Sequence, residues 1–126
     1  MSELEDFGQM LVREVRDRAI RELFDRLAGS SDGTLSDESL KHLSSNADPA
    51  AIQDVIFTAV DGAIAGLLLF MDQSYMDSKF ELFSPDGNSV AAMSDGIHTE
   101  PFGPNGWNRK YSEYPRKISV GNLSGT

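Results

Sequence analysis

The stretch "DPAAIQDVIFTAVDGAIAGLLLFMDQ", residues 48 to 73, constrains the fold of this chain more than any other. Asp48 is a good helix N-cap, and Pro49 suits the first helical position. Ile52, Val55, Ile56, Ala59, Val60, Ala63, Ile64, Leu67, Leu68 and Met71 recur at helical spacing, and Phe57 and Phe70 widen the stripe. A helix apolar over so much of its circumference belongs at the centre of a core. Ala59, Gly62, Ala63 and Gly66 form a line of small residues, along which another backbone can approach closely, in this chain or in a second copy. Asp61 interrupts the stripe. A carboxylate facing the core needs a partner such as an Arg, or a proton, so the expected place for Asp61 is the narrow exposed strip. On that reading Asp61→Asn is nearly neutral.

The N-terminal segment reads as a second amphipathic helix. Leu4, Phe7, Met10, Leu11, Val15, Ile20, Leu23, Phe24 and Leu27 follow a period near 3.6, and Ser2 with Glu5 reads as a capping box. Arg13, Arg16, Asp17, Arg21, Glu22, Asp25 and Arg26 then fall on an outward, solvated face, with Glu14–Arg18 and Glu22–Arg26 as pairs one turn apart. Gly29 is the expected stop. Residues 34 to 45 predict a short helix capped by Ser36, with Leu40 and Leu43 inward and His42 toward solvent.

Beyond Asp72 the pattern changes. "KFELF", the turn "SPDGN" and "SVAAM" predict a β-hairpin, and "KISVG" (residues 117 to 121) offers a third strand. The tail from about residue 121 is expected to fray. These elements together predict an α+β fold in one domain, residues 1 to 126: a helical N-terminal two-thirds with a long central apolar helix, then a small antiparallel β-sheet.

Composition narrows the function. The net charge of −9 disfavours nucleic acid and anionic membranes and makes a basic protein the better partner, while plain solubility is the simpler reading of the same charge. The absence of Cys excludes disulfides, thiolate nucleophiles and Cys-ligated zinc. The acidic start is unlike a secretory signal, and the most continuous apolar run, residues 63 to 71, is too short to span a bilayer. The expected location is the cytoplasm, with no membrane partner.

Chemistry-bearing clusters are sparse. Asp95, His98 and Glu100 are metal-ligand types within one loop, but their spacing matches no zinc pattern, and turn chemistry with Gly96 at positive φ is the plainer reading. "PDGN" is a turn rather than a calcium loop. His42 and His98 are the two histidines that could serve as a base, and no nucleophile elbow or phosphate loop accompanies them. No cofactor is expected. "GPNGWNRKYSEYP", residues 103 to 115, concentrates the aromatic residues. Trp107 and Tyr111 lie one helical turn apart and with Phe102 can cover the core, and Arg109 can stack on either ring. Contact with a partner is the alternative role for the same side chains.

"MSDGIHTEPFGPNGWNRKYSEYP" resembles the C-terminal part of small acidic bacterial proteins that carry an "SDG" turn followed by "GW…K(F/Y)S.Y". The apolar helix around "VIFTAVDGAIAGLLLFMD" is similar to theirs, and Pro101 and Pro104 depart from their pattern. The resemblance implies a non-enzymatic protein, akin to immunity proteins that neutralise toxins.

Three functional expectations result. The first is an immunity-like protein-binding module whose acidic surface covers a basic partner, with Asp86, Asp95, Glu100, Trp107, Arg109 and Tyr111 as contact residues. The second is a homo-oligomer, such as a homodimer, or a small-ligand-binding protein. The third is a small metal-dependent enzyme using Asp95, His98 and Glu100.

Overall fold

The structure is a computed structural model that describes residues 2–28, 42–43 and 45–115 of the chain. The first helical rod has three parts: α1 (Glu3–Met10), a π-helical segment (Leu11–Arg16) and α2 (Asp17–Leu27). The central helix α3 (Pro49–Met76) follows, and the short helix α4 (Trp107–Tyr111) closes the described part. Two 3-10 turns, Ala91–Met93 and Ile97–Thr99, lie between α3 and α4.

Local chemistry sets the helix starts. Ser2 Oγ accepts the Glu5 N–H at 3.1 Å, and Asp48 caps α3 through the Ala51 N–H at 3.3 Å, with Pro49 at the first turn. The π-helical segment changes the phase of the first rod. A π turn takes more residues than an α turn, so residues four apart stay aligned instead of drifting around the axis. Gly8, Val12, Arg16 and Ile20 therefore all face inward. A uniform 3.6 period places Met10 and Val15 inside and Arg16 and Asp17 outside. The structure reverses this: Met10 and Val15 are exposed, while Arg16 and Asp17 are 0% and 1% exposed.

The core has two apolar clusters along α3. Leu11, Val12, Ile64, Leu68, Val90, Ile97 and Trp107 form one. Ile20, Ile52 and Ile56 form the other, with Phe24, Phe57 and Tyr114 packed against them and Phe24 edge to face with both other rings. Val60 touches both.

The expected α+β architecture is not what forms. Among the described residues the protein is helical, with no strand and no sheet. The turn chemistry of the hairpin is present. Ser84 N–H donates to the Asn88 carbonyl at 2.8 Å, Gly87 takes φ 85°, and Val90 N–H donates to Leu82. Pairing stops at the isolated bridge Phe83–Ser89. Val90 enters the right-handed helical region and Ala91–Met93 coil into a 3-10 turn that buries Val90 and Ala91. Alanines are weak strand formers, and burying Val90 and Ala91 on the helices wins over extending a two-stranded ribbon, which is marginal alone. The proposed third strand, the frayed tail, the Gly29 stop and most of the short helix at 34 to 45 lie outside the described residues. Of that helix, His42, Leu43 and Ser45 are described and all are exposed, so Leu43 does not point inward as expected.

Candidate functional site: an exposed apolar face over a locked polar hub

Asp61 is buried, against expectation, and Arg16 is the reason. Its Nε donates to Asp61 Oδ1 at 2.6 Å, and Nη2 reaches Oδ2 at 3.4 Å. Nη1 donates to Asp17 Oδ1, Ser112 Oγ and the Tyr114 carbonyl at 3.2, 2.8 and 2.9 Å. Asp17 accepts from Ser112 Oγ at 2.5 Å and from the Glu113 N–H at 2.7 Å. Asn108 Nδ2 approaches Asp61 at 3.5 Å, and the Arg16 guanidinium lies 5.7 Å from the Phe57 ring centre. This hub sits between the two apolar clusters and ties three separate parts of the chain together. Buried charges persist only when paired and hydrogen-bonded, and here nearly every donor and acceptor is taken. The exception is Asn108 Oδ1, which has no partner among the described residues.

A second lock holds α4. Glu5 accepts from Trp107 Nε1 at 3.0 Å, Lys110 Nζ at 3.0 Å and Tyr111 Oη at 2.5 Å. Hydrogen bonds first from Tyr111, then from Lys110 and Trp107, pull the Glu5 carboxyl down to about 2, and the same bond pushes the Tyr111 phenol up to about 12. The Trp107 ring lies against the backbone of Gly8 so closely that a Cβ there would overlap its atoms. Phe7 packs on it edge to face at 6.0 Å.

A third lock fixes the loop after the incomplete hairpin. Asp72 accepts the N–H groups of Ile97 and His98 at 3.2 and 3.1 Å, and Nδ1 of His98 bonds the same carboxylate. Burial opposes ionisation of Asp72, but these bonds together outweigh it and its pKa is lowered.

The residues assigned to binding are thus dispersed, apart from the loop that carries Asp95, His98 and Glu100. Asp86, Asp95 and Arg109 are exposed. Asp95, His98 and Glu100 line one open pocket, but Glu100 accepts from Ser94 Oγ at 3.1 Å and His98 turns to Asp72, so they form no ligand set. Among the described residues no group of three or more His, Asp or Glu side chains could hold a metal ion. Gly96 has φ 177°, extended rather than the positive φ expected of it. Trp107 is 1% exposed and presents no surface to a partner. Tyr111 is half-buried on Glu5, and it is Arg13 rather than Arg109 that lies over its ring, at 5.9 Å.

What stays open is one face of α3. Only the strip through Ile52, Ile56, Asp61, Ile64, Leu68 and Ser74 is fully covered. The opposite side shows Val55, Ala59, Gly62, Ala63, Gly66, Leu67, Leu69 and Phe70, all exposed; Val55, Leu67 and Phe70 are 66%, 52% and 54% open. Spacings of three and four residues make these one continuous surface. From Val55 to Met71 the only charged residue is Asp61, which faces inward. The apolar helix is therefore half core and half surface. By length and composition α3 is also long and apolar enough to cross a membrane, at mean hydropathy 1.8, which the shorter run at 63 to 71 did not indicate. Gly62 and Gly66 each cost about 1 kcal/mol of helix propensity relative to Ala. Nothing in the described chain lies within 4 Å of a Cβ built at either.

Sequence reasoning placed the small-residue line but assigned its helix to the interior. It missed Arg16 as the partner of Asp61, and Asp72 and Glu5 as anchors. No family model, curated protein or solved structure matches the chain.

Proposed function

We propose that this is a cytoplasmic, non-enzymatic protein-binding module that engages another protein surface through the exposed face of α3. The observation that carries this reading is the extent of uncharged apolar surface from Val55 to Phe70 on a helix otherwise locked in place. Contiguous exposed apolar surface of this kind marks interaction sites in soluble proteins. The three polar locks support it, because they hold α3, the 97–99 turn and α4 rigid, and a rigid face loses little entropy on docking. The test is a photo-crosslinking residue at position 67 or 70 in living cells. Discrete protein adducts from these positions, and none from exposed Arg18 on α2, are expected. Lipid adducts alone, or no adducts, would contradict the reading.

A second reading, immunity-like cover of a basic partner, is favoured by the exposure of Asp86 and Asp95 on a chain of net charge −9. It requires a complex that forms rapidly at low salt and weakens as salt rises.

A further inference from the structure

We infer that the occupant of the α3 face is a second copy of this chain, packed antiparallel with its own α3 about a two-fold axis that passes between Gly62 and Ala63. This rests on the proposal that the face binds protein. The order of side chains along the face carries the inference. In such a pair Gly62 of one copy meets Ala63 of the other, Ala59 meets Gly66, and Val55 meets Phe70. Small residues oppose small ones at the centre, and larger apolar residues oppose each other at both ends. A two-fold interface demands this self-complementarity, since each patch must fit itself.

The glycines supply an independent argument. Gly62 and Gly66 weaken the helix, yet the space where their Cβ atoms would stand is open in the described chain. They are not there to accommodate a neighbour within it. Close approach of a backbone from outside gives them a role, and a helix pair with small residues at the crossing can approach to about 8 Å between axes.

Charge and area decide between occupants. The face offers no charge to a basic partner, whose cations would lose their hydration on it unpaired. Asp72, Asp77 and Glu81, against the single cation Lys79, stand at and just beyond the C-terminal end of α3, which opposes docking on an anionic bilayer. From Val55 to Phe70 the strip is about 22 Å long at helical rise. One helix width over that length is part of the roughly 800 Å² per partner of a standard stable interface, so the dimer should dissociate on dilution. Two chains of net charge −9 repel each other at long range, so salt should strengthen this dimer. A basic partner would show the opposite salt dependence.

The experiment is sedimentation equilibrium of the full chain over a wide concentration range, at low and high salt, for wild type, Gly66→Leu and Phe70→Glu. Wild type should approach twice the 13.8 kDa chain mass as concentration and salt rise. Gly66→Leu and Phe70→Glu should raise the dissociation constant at least about tenfold. Gly66→Leu should melt no lower than wild type when both are monomeric, because its side chain enters open space and favours helix, so loss of the dimer cannot be loss of the fold. A wild type that is monomeric throughout, or a dimer indifferent to Gly66→Leu, overturns the inference. In the monomeric case an apolar dye separates the two levels. Dye binding that Phe70→Glu abolishes leaves the face a docking site for another protein. No dye binding removes the docking reading as well. Flotation with neutral phosphatidylcholine vesicles, lost in Phe70→Glu, would overturn both in favour of a lipid surface.

Discussion

Replacing Arg16 by Met tests the polar hub. Met keeps the bulk of the side chain and the packing against Phe57 but removes the guanidinium. Asp61 and Asp17 then remain buried without their cation, and Ser112 Oγ and the Tyr114 carbonyl lose a donor. Removing one member of a buried pair costs about 3–5 kcal/mol, because the surviving charge stays desolvated. That is a large share of the roughly 5–15 kcal/mol that holds a domain of this size folded. At about 3–5 °C per kcal/mol for this chain length, the melting temperature should fall by about 10–20 °C. Urea denaturation of wild type, Arg16→Met, Asp61→Leu and the double variant gives the coupling directly. The double variant should lose less than the sum of the singles by at least about 2 kcal/mol, since it removes the Asp61 charge along with its cation and leaves only Asp17, still bonded to Ser112 and the Glu113 N–H, without Arg16. Additive losses, or a loss below about 1 kcal/mol for Arg16→Met, would refute the account of the hub. The same geometry replaces the expectation that Asp61→Asn is neutral: an amide cannot accept both of Arg16's donors, and a loss of about 2–4 kcal/mol should follow.

Two further perturbations probe the seating of α4. Gly8→Ala should destabilise by about 1–3 kcal/mol although Ala is the better helix former, because its methyl group would displace the buried Trp107 ring; thermal melting checks the sign, and a stabilised variant would place the ring elsewhere. The Glu5–Tyr111 bond should be read from both ends of the pH scale. The depressed Glu5 pKa contributes stability that is present above about 4.5 and lost as pH falls toward 2, about 1–2 kcal/mol after solvent screening. The raised Tyr111 pKa contributes stability present below 10 and lost as pH rises through about 12. In Tyr111→Phe both dependences should shrink, and unchanged acid and alkaline transitions would contradict the bond.

The central helix was legible because its signals are local: Asp48 and Pro49 start it, and its apolar period is long. Its surroundings were not. A helix apolar on every side reads as fully buried, and only the number of elements that pack on it decides otherwise. Here the first rod and the 97–99 turn cover one side and leave Gly62, Gly66 and Phe70 open. Arg16 and Asp61 could not be paired from sequence, since they stand 45 residues apart and a π-helical segment rotates Arg16 off the face that a regular helix assigns to it. The hairpin failed at Ala91 and Ala92, where turn chemistry was correctly read but the strand that should follow had no propensity to extend. Glu5 looked like the second half of a capping box, while its carboxylate is engaged by α4, about 100 residues away.

The absence of native Cys makes cysteine cross-linking the most direct test of the α3 face. Single variants Val55→Cys, Thr58→Cys, Gly62→Cys, Ala63→Cys and Phe70→Cys would be oxidised at fixed concentration and the covalent dimer measured, with Arg18→Cys on α2 as reference. A disulfide needs Cα atoms within about 7 Å, so only positions next to the two-fold axis can bridge to themselves. Dimer yield peaking at Gly62→Cys and Ala63→Cys, and falling toward Val55→Cys and Phe70→Cys, is the predicted result. A flat profile no higher than that of Arg18→Cys would contradict it.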